Sequence, residues 1–173
     1  MQSIQRIEPV AFRFADDGLV PNNPRYPFLV YRGGIDVVGR DPAATIERHF
    51  AENGWGDMWR NGIYPFTHYH SRTHEVLGIA RGRARVRFGG AMGEELEVAA
   101  GDVAVLPAGT GHQRLSASGD LLVVGAYPPA GTYDLCRATA QTRECALATI
   151  PHVPLPATDP LYGRDGPLMT LWR

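Results

Sequence analysis

Two clusters of glycine, proline, histidine and glutamate at fixed spacing constrain the fold of this chain more than any other feature. The first cluster consists of Gly62, His68, His70, Glu75 and Gly82, and the second consists of Gly101, Pro107, Gly109 and His112. Glycine and proline favour tight turns, so the clusters predict strands that begin and end at defined places around the polar residues.

The spacing within the clusters predicts that their polar side chains converge. His68 and His70 share one face of a strand, because side chains alternate with a period of two. A four-residue turn, 71–74, then brings Glu75 onto the neighbouring antiparallel strand beside His70. The tight turn before His112 lets this residue project into the same interior. Three imidazoles and a carboxylate form a ligand set for a first-row transition metal.

Short β segments separated by Gly, Pro and Asp fill the region from 61 to about 137. Strand signals at this spacing are typical of an all-β sandwich or barrel rather than of βαβ units. Alternation predicts the residues whose side chains point inward: Leu77, Ile79, Val86, Phe88, Val103, Val105, Leu121 and Val123. The arginines at 83, 85 and 87 then occupy the solvent face of one strand.

Flanking segments surround this β region within one domain, 1–173. N-terminal strands and a helix are expected in 1–59. Asp41 and Pro42 suit the start of the helix, Ile46 and Phe50 share one face of it, and Gly54 can end it. Residues 138–173 are rich in proline but also in large apolar side chains, which predicts an extended C-terminal arm packed on the barrel rather than a disordered tail.

Composition excludes several function classes. All 17 basic residues are Arg, so chemistry that needs a lysine is absent. A formal net charge of −1 favours neither nucleic acid nor an anionic membrane as partner. No apolar run is long enough to span a bilayer and no secretory signal is visible, so we expect a cytoplasmic protein. Cys136 and Cys145 are then expected to be plain thiols.

The two clusters resemble the paired motifs of the cupin superfamily almost position for position, from Gly62 to His112. The resemblance implies a mainly β protein with a single jelly-roll β-barrel, whose core spans about 60–135, with one or two flanking helices. It also implies that His68, His70, Glu75 and His112 are metal ligands. The second motif usually ends in Asn four residues after its histidine. Here Ser116 stands in that place, which puts the local turn in doubt.

Two sequence segments, FTHYHSRTHEVLGIARG and DPLYGRDGPL, are similar to those of a group of small bacterial single-domain cupins. The resemblance implies one divalent metal ion, Fe, Mn, Ni or Zn, and a tendency to form homodimers. It implies a small-molecule ligand but no particular substrate, and it identifies no catalytic residue. Three functions fit: a metal-dependent enzyme of the dioxygenase or isomerase type, a non-catalytic metal-binding or sensor cupin, and a storage-type or purely structural barrel. Open coordination positions at the metal argue against the third.

One ligand remains ambiguous, because His74 precedes Glu75 and some cupins take the fourth ligand one residue earlier. Adjacent strand residues face opposite ways, and Glu75 shares the parity of Leu77 and Ile79, which favours Glu75. His74 then faces outward or lines the mouth of the barrel, although a β-bulge could exchange the two. Other histidines, His49 and His152, are expected at the surface. Weaker candidates for lining a pocket are Tyr64, Phe66, Arg72, Leu77, Arg114 and Tyr127.

Overall fold

Antiparallel strands occupy most of the middle of the chain in the computed structural model, which describes residues 5–129 and 132–173. In chain order the strands are β1 (Val10–Phe12), β2 (Phe28–Tyr31), β3 (Gly56–Asn61), β4 (His68–Tyr69), β5 (Glu75–Arg81), β6 (Arg83–Phe88), β7 (Glu94–Ala99), β8 (Val103–Leu106), β9 (His112–Ala117), β10 (Leu122–Tyr127) and β11 (Cys136–Arg137). The helices are α1 (Pro42–Glu52), α2 (Ala140–Thr149) and α3 (Pro167–Leu171).

The strands form two sheets. The order in the six-stranded sheet is β1-β2-β8-β5-β10-β3, and in the five-stranded sheet it is β11-β4-β9-β6-β7. Every strand pair is antiparallel. His68 on β4 lies directly opposite His112 on β9 in the five-stranded sheet, while Glu75 opens β5 in the other sheet. The site is therefore assembled from both sheets.

The inner faces of the two sheets enclose one apolar core. It contains Phe28, Val30, Ile63, Leu77, Ile79, Ala84, Val86, Phe88, Val98, Ala104, Leu106 and Val123, with Leu121 packed against it. Most of the predicted inward residues are here, but the prediction for Val103 and Val105 was wrong. Both are buried on the outer face of the six-stranded sheet, while Ala104 points inward. Because both faces of β8 are covered, its sequence is continuously apolar and its parity cannot be read from alternation.

Helix α1 covers the outer face of the six-stranded sheet. The Asp41 carboxylate accepts from the Ala44 N–H at 3.1 Å, which confirms the predicted N-cap. Ile46 and Phe50 are fully buried in a second core that includes Val103 and Val105. The close approach needs a glycine beneath the helix, since a Cβ at Gly78 would lie 2.6 Å from the Ile46 side chain. No helix in the described ranges is long and apolar enough to cross a bilayer.

The C-terminal segment 138–173 packs on two parts of the fold, and only part of it is extended. Leu161, Leu168 and Trp172 lie in the same outer core as α1, whereas Ala146 and Ile150 pack with Tyr69 and Cys136 of the five-stranded sheet. The segment begins with α2 and a 3₁₀ turn, Ile150–His152, and it ends with α3, so it contains helices that the sequence did not predict. Asp159 fastens the segment to the sheet. Its fully buried carboxylate accepts hydrogen bonds from the Tyr31 hydroxyl and from the N–H groups of Leu161, Tyr162 and Leu168.

Candidate metal centre

Three histidines meet between the sheets at one end of the apolar core. His68 lies on β4, His70 follows that strand directly, and His112 is the first residue of β9. One ring nitrogen from each lies within 4.8 Å of the other two, and all three side chains are buried. The predicted convergence of these residues is therefore present in the fold.

Backbone carbonyls determine which ring nitrogen of each histidine faces the centre of the cluster. The Nδ1 atoms of His68 and His112 lie 2.9 and 3.1 Å from the carbonyl oxygens of Phe66 and Thr110. The Nδ1 atom of His70 likewise faces the carbonyl oxygen of Asp134. A carbonyl can only accept, so each Nδ1 carries a hydrogen and each neutral ring keeps its lone pair on Nε2. Metal-binding histidines use this same arrangement.

Glu75 adds a buried carboxylate to the cluster. Its Oε2 lies 3.1 Å from His70 Nε2 and accepts from the Tyr127 hydroxyl at 2.7 Å. Its Oε1 lies 3.4 Å from His112 Nε2 and has no hydrogen-bond partner among the described residues. An ionised carboxylate facing imidazole lone pairs in a buried place needs a positive charge between them.

The pKa values of the cluster indicate the same need for positive charge. Burial lowers the pKa of His70, but the charge and hydrogen bond of Glu75, together with the contacts to Asp134, outweigh burial and raise this pKa to about 9. Burial would raise the pKa of Glu75, yet His70 and His112 hold it well below its usual value. Burial and His112 lower the pKa of His68 to about 3, so that ring stays neutral. A divalent cation can supply the charge that a proton on His70 supplies otherwise. Three imidazole nitrogens within 4.8 Å of one another suit such an ion; Glu75 is outside this mutual-distance group but contacts two of its rings, those of His70 and His112.

His74 lies on the other side of the sheet from this cluster. Its Nδ1 accepts from the Ala108 N–H at 2.9 Å, and its Nε2 donates to the Pro154 carbonyl at 3.1 Å. The ring packs edge-on against Tyr26 and Trp172 and is fully buried. His74 faces outward from the core, as strand parity predicts, but the C-terminal segment covers it, so it does not line the mouth.

A cavity of about 360 Å³ opens onto the histidines and Glu75. Tyr64 and Tyr133 lie at its exposed end, where each is about half exposed, at 50% and 51%, and the buried histidines form its floor. Of the predicted lining residues, Tyr64, Leu77, Arg114 and Tyr127 are present. Phe66 and Arg72 do not line the cavity; Phe66 stacks on Tyr64 instead.

Trp59 and Tyr133 are cavity residues that the sequence did not indicate. The Trp59 indole N–H donates to the Tyr127 hydroxyl at 2.8 Å, so a chain of hydrogen bonds runs from Trp59 through Tyr127 to Glu75. Gly125 makes room for the indole, because a Cβ there would lie 2.1 Å from a Trp59 ring carbon. Tyr133 stacks on Tyr127 with ring centroids 4.8 Å apart. The signal for Trp59 would have been Gly125, the glycine opposite it on the paired strand. We find no sequence signal that places Tyr133 in the cavity.

The departure at Ser116 has a structural counterpart. Ser116 is exposed on β9 and pairs with Arg85 next to a register shift between β9 and β6. Two residues later, the Ser118 hydroxyl accepts from the Arg83 N–H at 2.9 Å and donates to Asp120 at 2.7 Å. Ser118 thus makes the polar contacts that close this end of the strand.

Two antiparallel sheets enclose a cluster of three histidines, and the paired motifs supply these residues. This is the arrangement of a cupin fold with a site that could hold a metal ion. No family model matches the chain. It belongs to the same family as the uncharacterized protein YjlB of Bacillus subtilis (strain 168), with 39% identity over 165 residues, which is 95% of this chain and 97% of that protein.

Among solved structures, the likeness extends to more distant proteins. Acireductone dioxygenase from Bacillus anthracis overlaps 75% of this chain and 83% of its own, with 15% identity and a TM-score of 0.40. Procruciferin, an 11S globulin from Brassica napus, overlaps 46% of this chain, with 14% identity and a TM-score of 0.39. This chain spans only 21% of the length of procruciferin.

Proposed function

We propose that this chain is a mononuclear metal-dependent enzyme that acts on a small polar molecule in the cavity above its three histidines. The observation that carries the proposal is the common orientation of the three rings. Each Nδ1 hydrogen bonds to a backbone carbonyl, so three Nε2 lone pairs point at one place on the floor of the cavity. His68, His70 and His112 are the proposed ligands, with Glu75 as the fourth.

Glu75 is proposed as the fourth ligand because one of its oxygens is free for the role. Tyr127 and His70 contact Oε2, whereas Oε1 lacks a hydrogen bond within the described ranges. A buried carboxylate oxygen without a partner is costly, and a cation at the cluster would remove that cost. Three nitrogens and one oxygen suit Fe, Mn or Ni, and also Zn, and an ion that prefers six ligands keeps about two positions for other molecules.

When bound, the ion supplies Lewis-acid or redox chemistry to a substrate oxygen. The protein residues do the rest. Tyr127 donates to Glu75 and is itself held by Trp59, which fixes the carboxylate in one orientation. The aromatic rings of Tyr64 and Tyr133 narrow the exposed end of the cavity and limit the entry of water. The cavity volume of about 360 Å³ is in the range of sites for small metabolites.

Within the enzyme class, we propose dioxygenation or isomerisation of a small organic substrate. The metal-dependent forms of both reactions use a metal with open positions beside a sheltered cavity. The alternative, a metal-bearing sensor without turnover, uses the same ligands and the same cavity. Measurement of product formation separates them, because a sensor binds its ligand unchanged.

The test begins with elemental analysis of purified protein and of its single-ligand variants. We expect one divalent first-row ion per chain in the wild type. We expect a steep loss of metal in His112→Ala, because the substitution removes one of the side chains that coordinate the ion. His152→Ala is the matched control, because this histidine is exposed on the C-terminal segment and is not part of the cluster. Oxygen uptake and product analysis over a panel of small organic acids and aromatic compounds then test catalysis. Wild-type metal content in His112→Ala would overturn the proposed site.

A further inference from the structure

A single arginine stands on the same strand face as the metal-binding histidine of β9. Arg114 follows His112 by two residues, so both side chains point to the inner side of the sheet. Their partners on β6 confirm this direction: Phe88 lies opposite His112, Val86 lies opposite Arg114, and both partners belong to the inner core. The half-buried Arg114 accordingly lines the cavity above the histidines.

The guanidinium of Arg114 has no ion pair and no hydrogen bond among the residues that the structure describes. The backbone N–H of Arg114 donates to the Tyr64 carbonyl at 3.0 Å. The other cationic residue of the cavity differs. Arg60 forms ion pairs with Glu47 and Asp41 outside the site. Of the two arginines that line the cavity, Arg114 therefore has the charge that is available to a ligand.

The remaining cavity wall is mainly aromatic and apolar. Besides Asn61, Gly62 and Pro65, it contains Trp59, Ile63, Tyr64, Leu77, Tyr127, Tyr133 and Leu135. Among the described residues, Glu75 carries the one negative charge of the lining, and a divalent ion together with Arg114 would outweigh it. Such a cavity attracts an anion through its net positive charge and accommodates a flat apolar body through its rings.

We propose that the cavity takes small organic carboxylates with a flat apolar body, and that Arg114 binds the carboxylate group in a two-point hydrogen-bonded pair. Arginine suits this role because its planar fork of donors matches a carboxylate. This inference rests on the proposed function, since it names the substrate class of the same site. Arg114 would then select ligands by their negative charge, and the aromatic residues of the wall would select ligands by their flat shape.

The experiment compares benzoate with benzamide, which has nearly the same shape and no charge. Calorimetry measures the binding of each to metal-loaded wild type, to Arg114→Gln and to Arg83→Gln. Arg83 is the matched control because it lies exposed on the outer face of β6. We expect Arg114→Gln to weaken benzoate binding by about tenfold or more, as for the loss of a charge-assisted pair, and to change benzamide binding by less than about twofold. Arg83→Gln should bind benzoate like the wild type.

Two further readings separate this proposal from the proposed function. Elemental analysis should find the same metal content in Arg114→Gln as in the wild type, because Arg114 is not a ligand. A protein that binds no metal yet binds benzoate through Arg114 would uphold the carboxylate site while overturning the metal enzyme. Equal benzoate affinity in wild type and Arg114→Gln would overturn the carboxylate site, and so would a lack of benzoate binding to the wild type at about 10 mM. If Arg114→Gln fails to fold, Arg114→Lys replaces it, and benzoate binding as tight as that of the wild type would then contradict the two-point pair.

Discussion

His74 and Glu75 are neighbours in the chain, yet their side chains lie on opposite faces of the six-stranded sheet. Glu75 reaches the three-histidine cluster, with Oε2 3.1 Å from His70 Nε2. His74 lies beneath the C-terminal segment, where both of its ring nitrogens are hydrogen bonded to backbone groups. Of these two neighbours, Glu75 belongs to the proposed metal site, whereas His74 joins the C-terminal segment to the sheet.

Replacing Glu75 with glutamine should lower the metal affinity of the site while keeping its shape. The amide carries no negative charge, so it offsets less of the charge of a divalent ion. We expect metal content to fall well below one ion per chain after mild chelation that leaves the wild type loaded. Elemental analysis measures this, and retention of a full complement of metal by Glu75→Gln would remove Glu75 from the ligand set.

Replacing His74 with alanine should reduce stability and leave metal content nearly intact. The change removes two hydrogen bonds and opens a cavity beside Tyr26 and Trp172, at a cost of about 2–4 kcal/mol in the free energy of unfolding. Denaturant unfolding of the metal-free protein measures this cost, and His152→Ala, at an exposed position, serves as the control. A His74→Ala protein of normal stability that has lost its metal would show that His74 is the ligand.

Replacing Tyr127 with phenylalanine should weaken metal binding without removing a ligand. The variant loses the hydrogen bond that orients Glu75, and loss of such a supporting partner lowers metal affinity by about 10–100-fold. Competition with a coloured chelator measures the affinity. Tyr133→Phe is the control, because Tyr133 stacks on Tyr127 while the contact to Glu75 is made by Tyr127. Wild-type affinity in Tyr127→Phe would show that Glu75 needs no such support.

The ion pair between Asp16 and Arg143 should make a small, pH-dependent contribution to stability. The Arg143 guanidinium holds the pKa of Asp16 below its usual value of 3.8. A lowered folded-state pKa means that the contribution is present above about pH 4 and is lost as the pH falls through the folded-state value. Because both side chains are about one-third exposed, we expect Asp16→Asn to lose only about 0.5 kcal/mol at pH 7.

Unfolding of this variant should be measured at pH 7 and again at about pH 3, where the difference from the wild type should shrink because the wild-type carboxylate is losing its charge. Glu144→Gln, one residue from Arg143 on α2, controls for a general change in net charge. An equal loss at both pH values would mean that the ion pair is not the cause.

A homodimer is the predicted assembly. Strand β1 lies at one edge of the six-stranded sheet with Val10 half exposed, and uncovered sheet edges favour pairing with another chain. Light scattering at micromolar concentration should give about twice the 18.9 kDa of one chain; a mass near that of one chain would contradict the prediction. The cytoplasmic location also stays a prediction, and cell fractionation measures it.

Much of the fold was predictable because its signals are local. The cap at Asp41, the buried stripe of Ile46 and Phe50, and the exposed arginines of β6 each follow from a short repeat in the sequence. The sequence-based predictions failed where the position of a residue depends on a second layer of structure packed against its strand or helix. The parity of Val103 and Val105 could not be read from a strand that is apolar on both faces, and α2 escaped notice because only one of its residues, Ala146, is buried.

The sequence by itself determined which residues can meet at the proposed metal site, since period-two alternation and turn spacing bring His68, His70, Glu75 and His112 to one interior. Only the tertiary structure decided how they are held. Contacts between segments far apart in the chain, from Trp59 to Tyr127 and from Asp134 to His70, orient the donor atoms. Local spacing specifies which way a side chain points from its strand, whereas the partner at its far end depends on how distant segments pack.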